Sequence, residues 1–318
     1  MATYTQYSAV GEREDLTDVI YNISPTDTPF MSSVGKTKAT AVYHEWQTDS
    51  LAAASTSNAA VEGADASSAT LAVTSRVGNR TQISQKTIQI AGTLESVDKA
   101  GRKSEKAYQL SKASAELKRD MEKILLSNQA AVTGDASTAR KLGSLQAWLN
   151  TNASVGATAG AAGSGGTTAR TSGDDRTFTE AILKANVKSV YSAGGNPSVL
   201  MVTPTQKQVV SGFAGIAQQR YQAPSNKPTT IVGAADVYLS DFGTLSVVPN
   251  RFMTPDAGDG GEVAFVLDPE YAAIAYLRPF ATNELAKTGD SEKTQLLVEY
   301  TLEVKNEAAH GIIADLAE

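Results

Sequence analysis

The sequence predicts a mixed α+β chain in which a sheet-rich unit is inserted between one long helix and a closing strand. Three observations carry this. Residues 103–129, KSEKAYQLSKASAELKRDMEKILLSNQ, contain neither Pro nor Gly and are rich in strong helix formers. Short apolar runs separated by turn signals fill the region from Val199 to Leu277. Near the end, Leu297, Glu299, Thr301 and Glu303 alternate with Val298, Tyr300, Leu302 and Val304, so Gln295 to Val304 reads as a long strand.

In the long helix, Leu110, Ala113, Leu117, Met121, Ile124 and Leu125 recur at three- and four-residue steps and form one apolar stripe. At about 1.5 Å per residue the helix spans roughly 40 Å, a spine on which other layers are laid. Glu116 stands four before Asp120 and Arg119 four before Lys123. Such like-charge pairs predict a solvated outer face rather than one laced by i,i+4 salt bridges.

Ahead of the spine, Leu16, Val19, Ile20 and Ile23 mark a short amphipathic helix. Ser24-Pro25 and Thr28-Pro29 predict a pair of tight turns that Gly35 ends. Ala39 to Gln47 reads as a strand. Leu51 to Thr70 is a low-complexity run of Ala, Ser, Thr and Asn around Val61-Glu62-Gly63. Leu71 to Ile90 returns to strand character, with Gly78-Asn79 as a break. Two strands around a soft tip make an extended hairpin. A structureless loop of ~20 residues is out of place inside a compact domain, so the hairpin is expected to be ordered by another molecule. Trp46 on this hairpin is either a core contact or an anchor for a neighbour.

Behind the spine, Leu142, Leu145, Trp148 and Leu149 form an apolar cluster, and Ala153 to Gly173 reads as a second low-complexity stretch, exposed to solvent. Thr177 to Glu180 is a capping box for a helix running to Gly194-Gly195. Val199 to Val202 is a strand, and Thr203-Pro204 caps a helix that ends at Gly212. Val237–Leu239, Leu245–Val248, Val263–Leu267 and Ala272–Leu277 are further strands.

Composition excludes several function classes. The 318 residues suggest two or three folded units, and the absence of Cys removes disulfides and thiolate chemistry. No secretory signal and no bilayer-length apolar run is read, so the chain is expected in a reducing cytoplasm or released by lysis. The net charge of −6 argues against tight sequence-independent nucleic-acid binding. That charge is uneven. Lys99, Arg102, Lys103, Lys106, Lys112, Lys118, Arg119 and Lys123 crowd the spine, whereas Asp and Glu dominate the last sixty-odd residues. The two surfaces are either simply solvated or meet between neighbouring copies.

Catalytic signals are weak. The two histidines, His44 and His310, are far apart in sequence and read as structural. No Walker A loop or G-x-G-x-x-G fingerprint is present, and Gly163 to Gly166 reads as linker. The carboxylates of Pro255 to Gly260 suit a solvated turn better than a calcium loop. No cofactor and no metal is expected.

An ordered set of stretches resembles one family. These are Glu14 to Phe30, the strand ending His44-Glu45-Trp46-Gln47, Ala100-Gly101-Arg102 leading into Ala107-Tyr108-Gln109-Leu110 and Glu116 to Asp120, and Val298 to Leu302 with Asn306 to Gly311. They resemble the major capsid proteins of tailed bacteriophages, the branch typified by phage SU-ten. The resemblance implies the Hong Kong 97-type capsid fold: an N-terminal arm (1–35), an extended hairpin or E-loop (36–91), a peripheral domain built on the spine helix (92–196 with 285–318) and an axial domain (197–284). It implies hexamers and pentamers closing an icosahedral shell around double-stranded DNA, with a portal protein and a separate scaffold or decoration protein as further partners. It places the protein in the virion after assembly in the host bacterial cytoplasm. No fused scaffolding segment and no Lys–Asn cross-linking pair is expected. Tyr43, Glu45, Trp46, Arg76 and Arg80 on the hairpin, and Lys112, Lys118 and Arg119 on the spine, are the expected inter-subunit residues. A tail-tube or decoration protein, or an α+β enzyme, is the alternative reading.

Overall fold

A computed structural model describes residues 27–63, 65, 68, 71–97, 103–213, 236–253, 255 and 261–317. The helix expected over Leu16 to Ile23, the Ser24-Pro25 cap, Lys99, Arg102 and most of the Pro255 to Gly260 turn lie outside these residues.

The spine helix α3 is Glu105–Leu126, about 33 Å long. It is shorter than the sequence suggests. Ser104 caps the start by accepting the Ala107 N–H at 3.2 Å, and Ser127 is already extended. The helix packs on β11 (Ser291–Val304) and β4 (Gln82–Ala91) of a four-stranded sheet in which β1 (Gly35–Lys38), β10 (Ala272–Leu285), β11 and β4 stand in that order. β1 runs parallel to β10, and the other pairs are antiparallel. Leu117, Met121 and Leu125 of the stripe, with Leu126 beside them, pack with Ile274, Val298, Tyr300, Leu302 and Val304 in one buried cluster. Leu110 and Ile124 lie at its margin, partly buried.

A second sheet holds six strands: β5 (Ala153–Ser154), β12 (Gly311–Leu316), β9 (Glu262–Leu267), β6 (Val199–Val202), β8 (Gly243–Pro249) and β7 (Val237–Ser240), in that order. Helices α5 (Glu180–Ser192) and α6 (Pro204–Ser211) pack on it through Leu183, Val187, Val190 and Val210. β9 is buried at every position because its two faces serve two cores. Val263, Phe265 and Leu267 join the spine cluster, while Ala264 and Val266 join the α5 cluster.

Five expectations need correction. The sequence reading keeps residues 272–284 with the inserted unit, but the chain changes sheets at the turn Asp268 to Tyr271, so β10 belongs with β11. Conversely β12, grouped above with 285–318, returns to the six-stranded sheet. The break in the hairpin is Thr81, not Gly78-Asn79, because β3 (Ser75–Arg80) runs straight through both. Gly78 is needed inside the strand, since a Cβ there would lie 2.7 Å from the His44 carbonyl oxygen. Thr28-Pro29 opens a short helix, α1 (Pro29–Ser33), rather than a turn. Finally, Ala153 to Gly173 is not a free linker. Gly143 and Gly166 touch backbone to backbone, and a Cβ on Gly166 would meet the Trp148 ring. Arg170, 4% exposed, reaches Asp315 at 2.5 Å and Gln146 at 3.2 Å, and Asp315 also accepts the Gly156 N–H at 2.7 Å.

Candidate assembly surfaces

β2 (Tyr43–Thr48) and β3 pair antiparallel as a two-stranded ribbon separate from both sheets. Alternation divides its side chains. Tyr43 and Glu45 share the outer face with Arg76 and Arg80 of β3. Arg80 sits over the Tyr43 ring at 5.1 Å, and Arg76 bonds Glu45 at 3.0 Å. These four expected interface residues are thus brought together on one surface, with the Arg76 side chain 70% exposed. Trp46 points the other way. It stacks obliquely on Trp148 at 5.4 Å and on His44 at 5.8 Å, and it packs against the spine core. Within one chain it makes the core contact, half-buried against Trp148.

The root of the ribbon is fastened to β11 by polar contacts. Glu303 accepts from Thr37 at 2.7 Å and stands 3.2 Å from His44 Nε2. Buried Asn79 donates to the carbonyls of Leu302 and Gly143 and accepts the Gly143 N–H. An open groove of about 800 Å3 lies beneath, with Val77, Trp148, Tyr271 and Asn306 among its lining.

On the spine, Lys112 and Lys118 face outward, with Lys112 3.9 Å from Glu116. Arg119 does not join them. Its guanidinium lies over the Phe252 ring at 5.5 Å and its Nε is buried, so it belongs to the packing between helix and sheet. Much of the basic charge is spent inside the chain. Lys106 bonds Glu284 at 2.7 Å and Glu292 at 3.2 Å, and Lys86 bonds Glu116 and Asp120. Hydrogen bonds to Glu284 and then Glu292 raise the Lys106 pKa, and bonds to Lys287 and Lys106 lower that of Glu292.

The sequence reading missed Glu122. It is fully buried at the apolar seam, accepts the Phe30 and Met31 N–H groups at 2.7 and 2.9 Å, and accepts Asn250 Nδ2 at 2.7 Å. It therefore caps α1 from the side of α3. Burial pushes its pKa up against these bonds. The available signal was its place three and four residues before Leu125 and Leu126.

Among the described residues no three potential ligands converge to hold a metal ion. Burial lowers the His310 pKa to about 4, and its Nδ1 accepts the Asp268 N–H at 3.3 Å. No helix of the described residues is long and apolar enough to cross a membrane.

A long helix backing one sheet, a ribbon standing off it and a second sheet sharing the core are the parts of a phage-head shell subunit. A solved cyanophage A-1(L) capsid asymmetric unit superposes with a TM-score of 0.67 at 11% identity, covering 99% of both chains. A structure from Gordonia phage Cozz gives 0.62 at 12% identity, covering 96% of this chain and 92% of the other. The fold is the Hong Kong 97-type capsid fold. The family described as SU10 major capsid protein matches residues 2–317, and the chain belongs to it. It is also similar to the major capsid protein of Escherichia phage Phieco32, 28% identical and covering 98% of this chain and 96% of that one. The protein is accordingly a phage major capsid protein, a component of the virion shell.

Proposed function

We propose that the chain assembles as hexamers and pentamers into an icosahedral head around double-stranded DNA, each copy laying its ribbon over the next. The supporting observation is the ribbon's far end. Leu51, Val61, Leu71 and Val73 are 80–99% exposed, apolar side chains held away from their own core. Exposed apolar surface on a projecting element calls for a partner. In this reading 36–91 is the E-loop, although its last strand, β4, is also the edge strand of the peripheral sheet. The arm is 1–35 and the spine region 92–196. The axial unit is better bounded by the six-stranded sheet than by 197–284, because β10 leaves it and β12 enters it. Residues 285–304 close the peripheral sheet.

Membership of a capsid-protein family supports a structural rather than enzymatic role. The mild negative charge suits a container through which DNA moves without sequence-specific binding. A portal protein is the remaining partner, a separate scaffold or decoration protein is left open, and the host bacterial cytoplasm is the place of assembly.

Electron microscopy of the expressed full-length chain, beside a variant lacking 51–70, tests this. Closed shells from the first and soluble, natively melting subunits from the second are expected. Normal shells from the deletion would remove the ribbon's assigned part, and tubes from the full chain would favour the tail reading.

A further inference from the structure

The chain passes from the ribbon into the four-stranded sheet through one residue. β3 ends at Arg80, β4 begins at Gln82, and Thr81 between them belongs to neither strand and is fully buried. Every polar group of Thr81 is held. Its N–H donates to the Val42 carbonyl at 2.8 Å, which ties the pivot to the lead-in of the other ribbon strand. Its carbonyl accepts from Arg140 Nε at 2.5 Å. Its hydroxyl donates to Glu299 Oε1 at 2.8 Å. Glu299, 4% exposed on β11, accepts Arg140 Nη2 on that same oxygen and Arg278 Nε on the other at 2.7 Å.

The two arginines come from different places. Arg140 adjoins the Val132–Lys141 bridge, and Arg278 sits where the β10–β11 register shifts. Stretches distant in sequence therefore converge on the residue about which the ribbon would swing. Apolar burial, as at Trp46, resists separation but is non-directional. Charge-assisted hydrogen bonds are short and directional, and two guanidinium groups on one nearly buried carboxylate fix orientation as well as distance. The arrangement is poorly suited to adding bulk stability, since desolvation offsets much of the gain from a buried ion pair. It is well suited to fixing an angle.

We propose that Glu299, with Arg140 and Arg278, is a positioning residue for shell assembly: it sets the angle at which the ribbon leaves the subunit, and hence the curvature at which copies join. The inference rests on the ribbon-over-neighbour reading above. The test compares full-length Thr81→Val, Glu299→Gln and Arg140→Lys with the wild-type chain by shell diameter in electron micrographs, hydrogen exchange across 75–91 and subunit melting.

Thr81→Val keeps the side-chain volume and removes one hydroxyl. It is expected to lower amide protection around the pivot about tenfold and to broaden or shift the diameters, with subunit melting little changed. Glu299→Gln should do the same more strongly, and Arg140→Lys, which keeps a donor, should be intermediate. Uniform shells of wild-type diameter from Thr81→Val, at lowered protection, would overturn the proposal. So would unchanged protection. Should Glu299→Gln fail to fold, Thr81→Val alone decides. Wild-type shells from Thr81→Val while the 51–70 deletion still abolishes shells would sink only the angle-setting role. Shells from the deletion would sink the ribbon reading beneath it.

Discussion

On the spine, Lys106 finds Glu284 and Glu292, Glu116 and Asp120 find Lys86 of β4, and the apolar stripe is packed against β4 and β11. On the ribbon beyond Thr48, Leu51, Leu71 and Val73 remain in solvent. Both stretches follow simple sequence patterns, yet one satisfies itself and the other does not. The spine's amphipathicity is matched by its own sheet, so its free energy is collected when the subunit folds. The described apolar residues of the ribbon tip are not covered by their own subunit, and on the proposed reading their burial waits for contact with another molecule. On that reading the contrast separates residues that hold a subunit together from residues that join subunits.

The sharpest way to break this contrast is to weaken each region and read subunit stability. Leu117, 1% exposed in the spine core, should lose about 2–5 kcal/mol on substitution by Ala, measured by urea unfolding of unassembled subunit. Leu71→Ser with Val73→Ser should stay within about 0.5 kcal/mol in the same measurement while reducing shell yield. Similar losses for both would mean that the tip packs on its own body.

A pH titration reports on the body alone. The His310 pKa is lowered to about 4 by burial, against smaller opposing effects of Tyr271, Asp268 and Glu307. The folded state thus holds this histidine neutral while the unfolded chain protonates near 6.5. Stability is full above about 6.5 and drains as pH falls toward 4, by roughly 3 kcal/mol at most. His310→Gln should flatten that slope in melting curves between pH 7 and pH 4, whereas ribbon-tip variants should leave it unchanged.

How much of this was legible follows the same division. Periodicity and caps are local, so α3, α6 with Thr203-Pro204, and the strands Val199–Val202 and Val263–Leu267 could be read directly. The capping box was displaced by two residues, with Thr179 rather than Thr177 the N-cap of α5. Sheet membership is non-local, so the passage of β10 into the β11 sheet and the return of β12 could not be seen. β1 was missed because GKTK carries no apolar pattern and gains its strand from β10. The glycine-rich stretch misled because small residues signal both a loose linker and close backbone packing. The buried Arg170–Asp315 pair and the close approach of Gly143 to Gly166 reveal the second. Among the expected interface residues, Trp46 and Arg119 proved to face inward. Strand alternation could have flagged Trp46, which shares a face with His44 rather than with Tyr43 and Glu45.

The seam between body and arm offers a smaller effect. Glu122→Ala leaves the Phe30 and Met31 N–H groups and Asn250 Nδ2 without their acceptor. A loss of about 1–3 kcal/mol is expected, together with faster proteolysis around residues 27–34 while the spine core stays protected from hydrogen exchange. Equal deprotection of α3 would show that the arm segment and the spine open as one unit.

The outer face of the spine should give the smallest change in stability. Lys112 and Lys118 stand in solvent, so Lys112→Glu with Lys118→Glu should alter subunit stability by no more than about 0.5 kcal/mol. Arg119→Glu is a different experiment, because it removes the cation from over Phe252 and buries a carboxylate in its place. It should destabilise the subunit whether or not shells form. Shell yield then decides what the two lysines do. Reduced yield from the double reversal, at unchanged melting, would give the spine's outer face a neighbour of opposite charge. Yield equal to wild type would leave that face merely solvated, and the ribbon alone would then carry the contact between copies.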